Sequence, residues 1–217
     1  GMLGLSADST KLIFAGYLVP RNPNASPEGL SSTMAPRRIA QVGAGGVYQN
    51  LVTSPALFDG MVIRGATASG NDAWGIGNGE GLNYFGSGPS ADITDAKSDF
   101  RFATIFNGQL YVSSASSSGT PPNEGVFAVG SGTPTTGGQS LTTVANTDHI
   151  GTGAFCFSPD GNTLYVALNI TGIQKWVHNG GWELDYTLTF SGGANGLVAD
   201  FAQNPHVLYF TTTSGDK

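Results

Sequence analysis

A ten-residue pattern recurs along the chain and constrains the fold more than any other feature of the sequence. Residues 157–166, FSPDGNTLYV, align without a gap on residues 5–14 and 201–210, and residues 66–75 and 103–112 follow the same frame more loosely. One position of the frame, the leucine position, holds Leu12, Ala73, Leu110, Leu164 and Leu208. The next, the tyrosine position, holds Ile13, Trp74, Tyr111, Tyr165 and Tyr209. The hydrophobic residues at these two positions predict a buried site in each repeat. The leucine position is expected to lie in the core of successive sheets.

The spacing of the copies indicates the kind of repeat. Successive leucine positions are 61, 37, 54 and 44 residues apart, and propeller blades of four strands span about 40–50 residues. Third strands are predicted to open at Gly81, Gly125 and Gly172, with fourth strands at 47–52, 91–94, 140–144 and 182–190. The fold class expected is therefore all-β, a β-propeller or propeller fragment of four-stranded antiparallel blades, with about four full blades and a partial fifth. Residues 1–217 are expected to form a single propeller domain, incomplete at its C-terminus.

Composition excludes several classes of protein. The chain has 33 glycines and only 11% charged residues, which is typical of turn-rich β structure. A net charge of −6 disfavours nucleic acid as a partner, and no apolar run is long enough to span a membrane. Residues 1–12 lack the basic start and apolar core of a signal peptide. A single cysteine, Cys156, excludes an internal disulfide.

Residues 157–167, FSPDGNTLYVA, resemble the blade motif of YVTN-type and lactonase-like β-propellers, and more distantly that of WD40 propellers. The stretches 106–116 and 172–188 are similar to a group of exported bacterial propeller proteins of unknown function. This resemblance implies an exported location (periplasm, cell surface or medium) and more blades than 217 residues supply. The motif marks a blade hairpin and carries no activity of its own.

Two arginines and one histidine are the candidate binding residues. Arg64 and Arg101 each lie nine residues before the leucine position of their repeat, on the predicted innermost strands of neighbouring blades. Their guanidinium groups would face the central channel and could bind a carboxylate or phosphate. A structural alternative is that they pair with an internal acid such as Asp99. His149 lies in a loop that is expected to rim the mouth of the same channel.

The function expected is a non-enzymatic binding or interaction module whose partner is an unknown protein or a small anionic ligand. No catalytic residue, metal ligand or cofactor is assigned. The chain is also expected either to self-associate through exposed blade edges or to form an open arc whose ring is not closed. The alternative is a lactonase-like or lyase-like hydrolytic enzyme acting in the channel. Carboxylates and Asn converging on the axis would favour the enzyme, whereas an apolar channel would favour the binding module.

Overall fold

Five antiparallel β-sheets make up the fold, which is seen in a computed structural model. The structure describes residues 1–21, 26–94, 96, 99–116, 123–148 and 151–212. Strands account for 55% of it and helix for 2%, the latter being the short 3₁₀ turn Pro27–Gly29. The all-β prediction is confirmed. In the described part of the chain, no helix has the length and apolar character needed to cross a membrane.

The sheets follow one another along the chain and are numbered 1 to 5. Sheets 1 and 2 contain β1 (Gly4–Leu5), β2 (Lys11–Tyr17), β3 (Arg37–Gly43) and β4 (Tyr48–Ser54), then β5 (Val62–Ser69), β6 (Asp72–Asn78), β7 (Leu82–Tyr84) and β8 (Ala91–Thr94). Sheets 3 and 4 contain β9 (Phe100–Phe106), β10 (Gln109–Ala115), β11 (Glu124–Val129) and β12 (Leu141–Asn146), then β13 (Thr152–Phe157), β14 (Thr163–Leu168), β15 (Gly172–His178) and β16 (Trp182–Thr189). Sheet 5 contains β17 (Leu197–Asp200) and β18 (Val207–Phe210).

Each sheet is a simple meander in which every strand pairs antiparallel with the next strand in sequence. The four-stranded antiparallel units expected from the repeats are therefore confirmed in sheets 1 to 4. Sheet 5 comprises two strands within the described residues. The connections range from tight turns, as between β5 and β6, to the long segment between β2 and β3.

The first strands of the sheets lie close to one another. Strand β1 contacts both β5 and β9, and contacts continue from β5 to β9, from β9 to β13 and from β13 to β17. Backbone hydrogen bonds join the residues on either side of β1 to β5, from Met2 N to Arg64 O and from Ala7 N to Ala68 O, both at 2.8 Å. Gly4 allows this approach, because a side chain there would collide with the carbonyl oxygen of Ala66. The first strands of the sheets therefore lie next to one another, and we call them the inner strands.

Successive sheets pack face to face with a fixed polarity, which means that each position of the repeat faces the same way along the chain order in every sheet. The leucine position of each sheet faces the preceding sheet: Ala73 packs on sheet 1, Leu110 on sheet 2, Leu164 on sheet 3 and Leu208 on sheet 4. The tyrosine position faces the following sheet: Ile13 packs on sheet 2, Trp74 on sheet 3, Tyr111 on sheet 4 and Tyr165 on sheet 5. Neighbouring residues of a strand point to opposite faces, so one aligned pair of residues serves two interfaces.

The prediction that every leucine position is buried is wrong for the first sheet and is met only in part in the fifth, where Leu208 is partly buried. Leu12 is 45% exposed, because no described sheet precedes sheet 1 and covers that face. The same reason leaves Tyr209 60% exposed on the far face of sheet 5. Ala73, Leu110 and Leu164 are fully buried, as expected. Burial at this position therefore depends on the neighbouring sheet as well as on the local sequence.

The turns after β1 and β13 show the repeat in atomic detail. In the fourth sheet the Ser158 hydroxyl donates to Asp160 Oδ1 at 2.5 Å, and the amide of Asn162 donates to the same oxygen at 3.1 Å. In the first sheet the Ser6 hydroxyl and the Thr10 amide donate to Asp8 Oδ1 at 2.6 and 3.1 Å. The aligned Ser-x-Asp triplets thus build the same turn in two sheets.

Truncation at two equivalent leucine positions should have unequal effects on stability. Leu164→Ala is expected to lower the free energy of unfolding by about 2–5 kcal/mol, because it leaves a cavity between sheets 3 and 4. Leu12→Ala is expected to lower it by about 1 kcal/mol or less, because half of that side chain is already exposed. Urea unfolding followed by circular dichroism measures both values. Equal losses would contradict the packing polarity.

The Ser-x-Asp turn should titrate in acid. Hydrogen bonds from Ser6 and Thr10 lower the pKa of Asp8 to about 2. A carboxyl whose pKa is lower in the folded state stabilises the fold at neutral pH, and that stabilisation is lost as the pH falls from about 4 through about 2. Ser6→Ala should raise the pKa of Asp8 towards its ordinary value, as measured by NMR titration of the carboxyl carbon. An unchanged pKa in this variant would show that Ser6 does not cause the shift.

Candidate functional site

The candidate site begins with β-bulges at the same place in three sheets. In β5 the register with β6 shifts between Ile63 and Gly65, so that Arg64 is the extra residue. In β9 the register with β10 shifts in the same way, and Arg101 is the extra residue. In β13 the shift falls between Thr152 and Phe155, which places Gly153 at the equivalent position. A bulge redirects the side chain of its extra residue, so Arg64 and Arg101 point away from the inter-sheet cores.

Sheet 5 supplies a further residue at the position that Arg64 and Arg101 occupy in sheets 2 and 3. Asn195 N donates to Thr211 O at 2.8 Å while Thr211 N donates to Gly196 O at 3.0 Å. This pairing extends the β17–β18 register and gives Asn195 the position that corresponds to Arg64 and Arg101. The Asn195 carbonyl also accepts a hydrogen bond from Ala154 N in β13 at 2.8 Å. Equivalent positions of four sheets therefore converge on one end of the inner strands.

A single carboxylate joins the two arginines. Asp99 Oδ2 accepts a hydrogen bond from Arg101 Nη2 at 2.7 Å, and Asp99 Oδ1 lies 2.9 Å from Arg64 Nη1 in an ion-pair contact that lacks hydrogen-bond alignment. The side chains of Arg64, Arg101 and Asp99 are 24%, 29% and 17% exposed. Two guanidinium groups thus share one carboxylate while both remain accessible to solvent.

The surroundings of Arg64 disfavour its positive charge. Partial burial, followed by the charge of Arg101, lowers the pKa of Arg64 below its ordinary value, and Asp99 compensates only in part. Both arginines line a cavity of about 400 Å³, the arginine cavity, together with Glu28, Val62 and Asn195. Glu28 is an exposed side chain, so water and salt screen its charge more than that of Asp99.

A second, larger cavity adjoins the first. It has a volume of about 620 Å³ and shares Gly1, Met2 and Asn195 with the arginine cavity. We call it the apolar cavity because its walls are mainly hydrophobic side chains from the first hairpins of sheets 1, 3, 4 and 5. Those used below are Leu5, Leu12, Phe106, Phe157, Leu197 and Val198. The exposed faces of the first and last sheets therefore open into the same space.

Cys156 lies in the wall of the apolar cavity. Burial raises the pKa of its thiol to about 12, although a hydrogen bond involving the Ala199 backbone acts in the opposite direction. A raised thiol pKa is the expected effect of apolar surroundings on a group that must become charged to react. The shift agrees with the hydrophobic character of the cavity.

The structure brings together two of the three residues singled out in the sequence. Arg64 and Arg101 lie on the first strands of neighbouring sheets, and Asp99 pairs with both, as the structural alternative required. His149 lies outside the described residues. Among the residues that are described, no group of three or more His, Cys, Asp or Glu side chains could hold a metal ion. Sequence analysis missed Asn195, because the turn between β17 and β18 is longer than the turns in the other repeats.

No family model matches the sequence, and no curated protein matches it significantly.

The thiol of Cys156 should be unreactive in the folded protein. With a pKa of about 12, roughly one thiol in ten thousand is ionised at pH 8. Labelling by a disulfide reagent is therefore expected to be slow in buffer and fast in urea, with Cys156→Ser as the unlabelled control. Absorbance of the released thiol measures the rate. A native rate equal to that of free cysteine would contradict the burial of this group.

Proposed function

We propose that this chain is a propeller-type binding module that holds a small anionic ligand between Arg64 and Arg101. The observation that carries the proposal is the pair of guanidinium groups, on equivalent bulges of adjacent sheets, sharing the single carboxylate of Asp99. An exported location rests on the resemblance to exported bacterial propellers alone, and self-association through sheet edges stays a prediction.

A propeller arrangement is supported by three features. The sheets are consecutive meanders, they pack face to face in chain order, and their first strands approach one another on the inside. Propeller blades have this organisation, in which the innermost strands surround a central channel. The equivalent positions of Arg64, Arg101, Gly153 and Asn195 at one end of these strands would then form part of the channel mouth.

The arginine pair favours anion binding because Asp99, the carboxylate in contact with it, balances only one of its two positive charges, while Glu28 at the same cavity is exposed and screened by solvent. Two guanidinium groups carry two positive charges, and Asp99 supplies one negative charge within contact distance. Guanidinium groups present several N–H donors in a planar fork that suits carboxylate or phosphate oxygens. A small anion at the arginine cavity could accept from the donors that do not contact Asp99. Its binding would relieve the mutual repulsion that contributes to the lowered pKa of Arg64.

The walls of the apolar cavity favour a binding module over a hydrolytic enzyme. A hydrolase of the lactonase type would place carboxylates and Asn on the inner strands, around the axis. The described first strands contribute Leu5, Phe106, Phe157 and Val198 to this space, while Asp99 and Asn195 lie at the arginine cavity, where Asp99 pairs with the two arginines. Apolar cavities with a few convergent polar groups are typical of sites that bind a small molecule.

Calorimetric titration with succinate and sulfate tests the anion site. We expect the wild-type chain to bind one anion, and Arg64→Gln and Arg101→Gln each to weaken binding by roughly tenfold or more, because each removes a charge-assisted contact. Asp99→Asn should strengthen binding, since it removes the internal carboxylate that competes for the same donors. Arg38→Gln is the matched control, because Arg38 contacts Thr53 and Tyr48 in sheet 1, away from the cluster.

Two results would contradict this function. If Asp99→Asn and the wild type both fail to bind either anion while remaining folded, the cluster is a structural ion pair. If Arg38→Gln weakens binding as much as Arg101→Gln does, the anions bind to positive charge in general. Circular dichroism and the thermal midpoint of each variant establish that it is folded.

A further inference from the structure

The two cavities are continuous in their lining and opposite in their chemistry. Gly1, Met2 and Asn195 line both cavities, so the arginine cavity and the apolar cavity meet at these residues. On one side lie the guanidinium groups of Arg64 and Arg101. On the other side the inner strands present hydrophobic side chains. A ligand that occupies the whole region must carry a charged group at one end only.

The apolar cavity exposes large hydrophobic side chains to solvent. Val198 and Leu12, which lie in its walls, are 55% and 45% exposed. Exposure of such groups in a concave site marks a place where burial by a ligand is favourable. The volume of about 620 Å³ lies within the range of pockets that take a small molecule.

We propose that the ligand is an amphipathic carboxylate whose anionic head binds Arg64 and Arg101 and whose hydrocarbon body fills the apolar cavity. This inference rests on the proposed anion-binding function and names the class of ligand. Asn195 lies at the junction, where its amide can donate to the carboxylate.

The test is a titration with a homologous series of straight-chain carboxylates, acetate, hexanoate and octanoate, below their micelle concentrations. Each methylene that becomes buried should tighten binding about fourfold, so octanoate is expected to bind roughly fifteenfold more tightly than hexanoate. Octan-1-ol has the same chain without the charge and should bind more weakly than octanoate. Arg101→Gln should weaken binding of all three carboxylates and leave octan-1-ol unaffected.

A cavity-filling variant tests the contribution of the ligand's hydrocarbon body to binding separately from that of its anionic head. Val198→Trp places an indole in the apolar cavity and should abolish the dependence on chain length while leaving acetate binding intact. Leu184→Trp is the matched control, because Leu184 is 47% exposed on β16 and does not line the cavity. This control should bind the whole series as the wild type does.

The outcomes distinguish this inference from the function on which it rests. If octanoate binds no more tightly than acetate while Arg101→Gln still weakens both, the amphipathic ligand is wrong and the anion site stands. If chain length matters but Arg64→Gln and Arg101→Gln change nothing, both proposals are wrong. If Leu184→Trp behaves like Val198→Trp, the hydrocarbon binds to exposed apolar surface, and the inference is overturned.

Discussion

The structure depends on the face-to-face packing of consecutive sheets with one polarity. Each inner hairpin turns its leucine position to the preceding sheet and its tyrosine position to the following one. Successive side chains of a strand point to opposite faces, so adjacent residues such as Leu164 and Tyr165 pack in two different interfaces. The hydrophobic contacts of one sheet therefore specify where its neighbours lie. The first strands also approach one another directly, through backbone hydrogen bonds such as that from Ala154 N to Asn195 O.

The same polarity explains where the cavities form. Sheet 1 has its leucine face exposed and sheet 5 has its tyrosine face exposed, since no described sheet covers either one. Leu12 from the first sheet and Val198 from the last then line one apolar cavity. Between the middle sheets, the corresponding side chains fill the interfaces. The space that could accept a ligand thus coincides with the one interruption in the packing of the described sheets.

The sequence predicts the strands better than it predicts the site. The aligned Ser-x-Asp triplets and leucine positions identify hairpins, because these features are local. Exposure of Leu12 is not local, since it depends on whether another sheet lies against that face. The alignment placed Arg64 and Arg101 together because their turns have equal length. It missed Gly153 and Asn195, whose inner hairpins have longer turns, and a bulge leaves no residue type that an alignment could detect.

The candidate site arises where repeats share a backbone but differ in side chain. Equivalent bulge positions carry Arg64, Arg101, Gly153 and Asn195, so the scaffold is repeated while the chemistry is not. Two adjacent arginines repel each other at partial burial, and Asp99 makes their proximity tolerable by contacting both. A purely structural pair would be satisfied by one arginine and one carboxylate. Asp99 leaves one positive charge of the pair unmatched at contact distance, and Glu28, an exposed carboxylate that lines the same cavity, is the other acid that acts on Arg64.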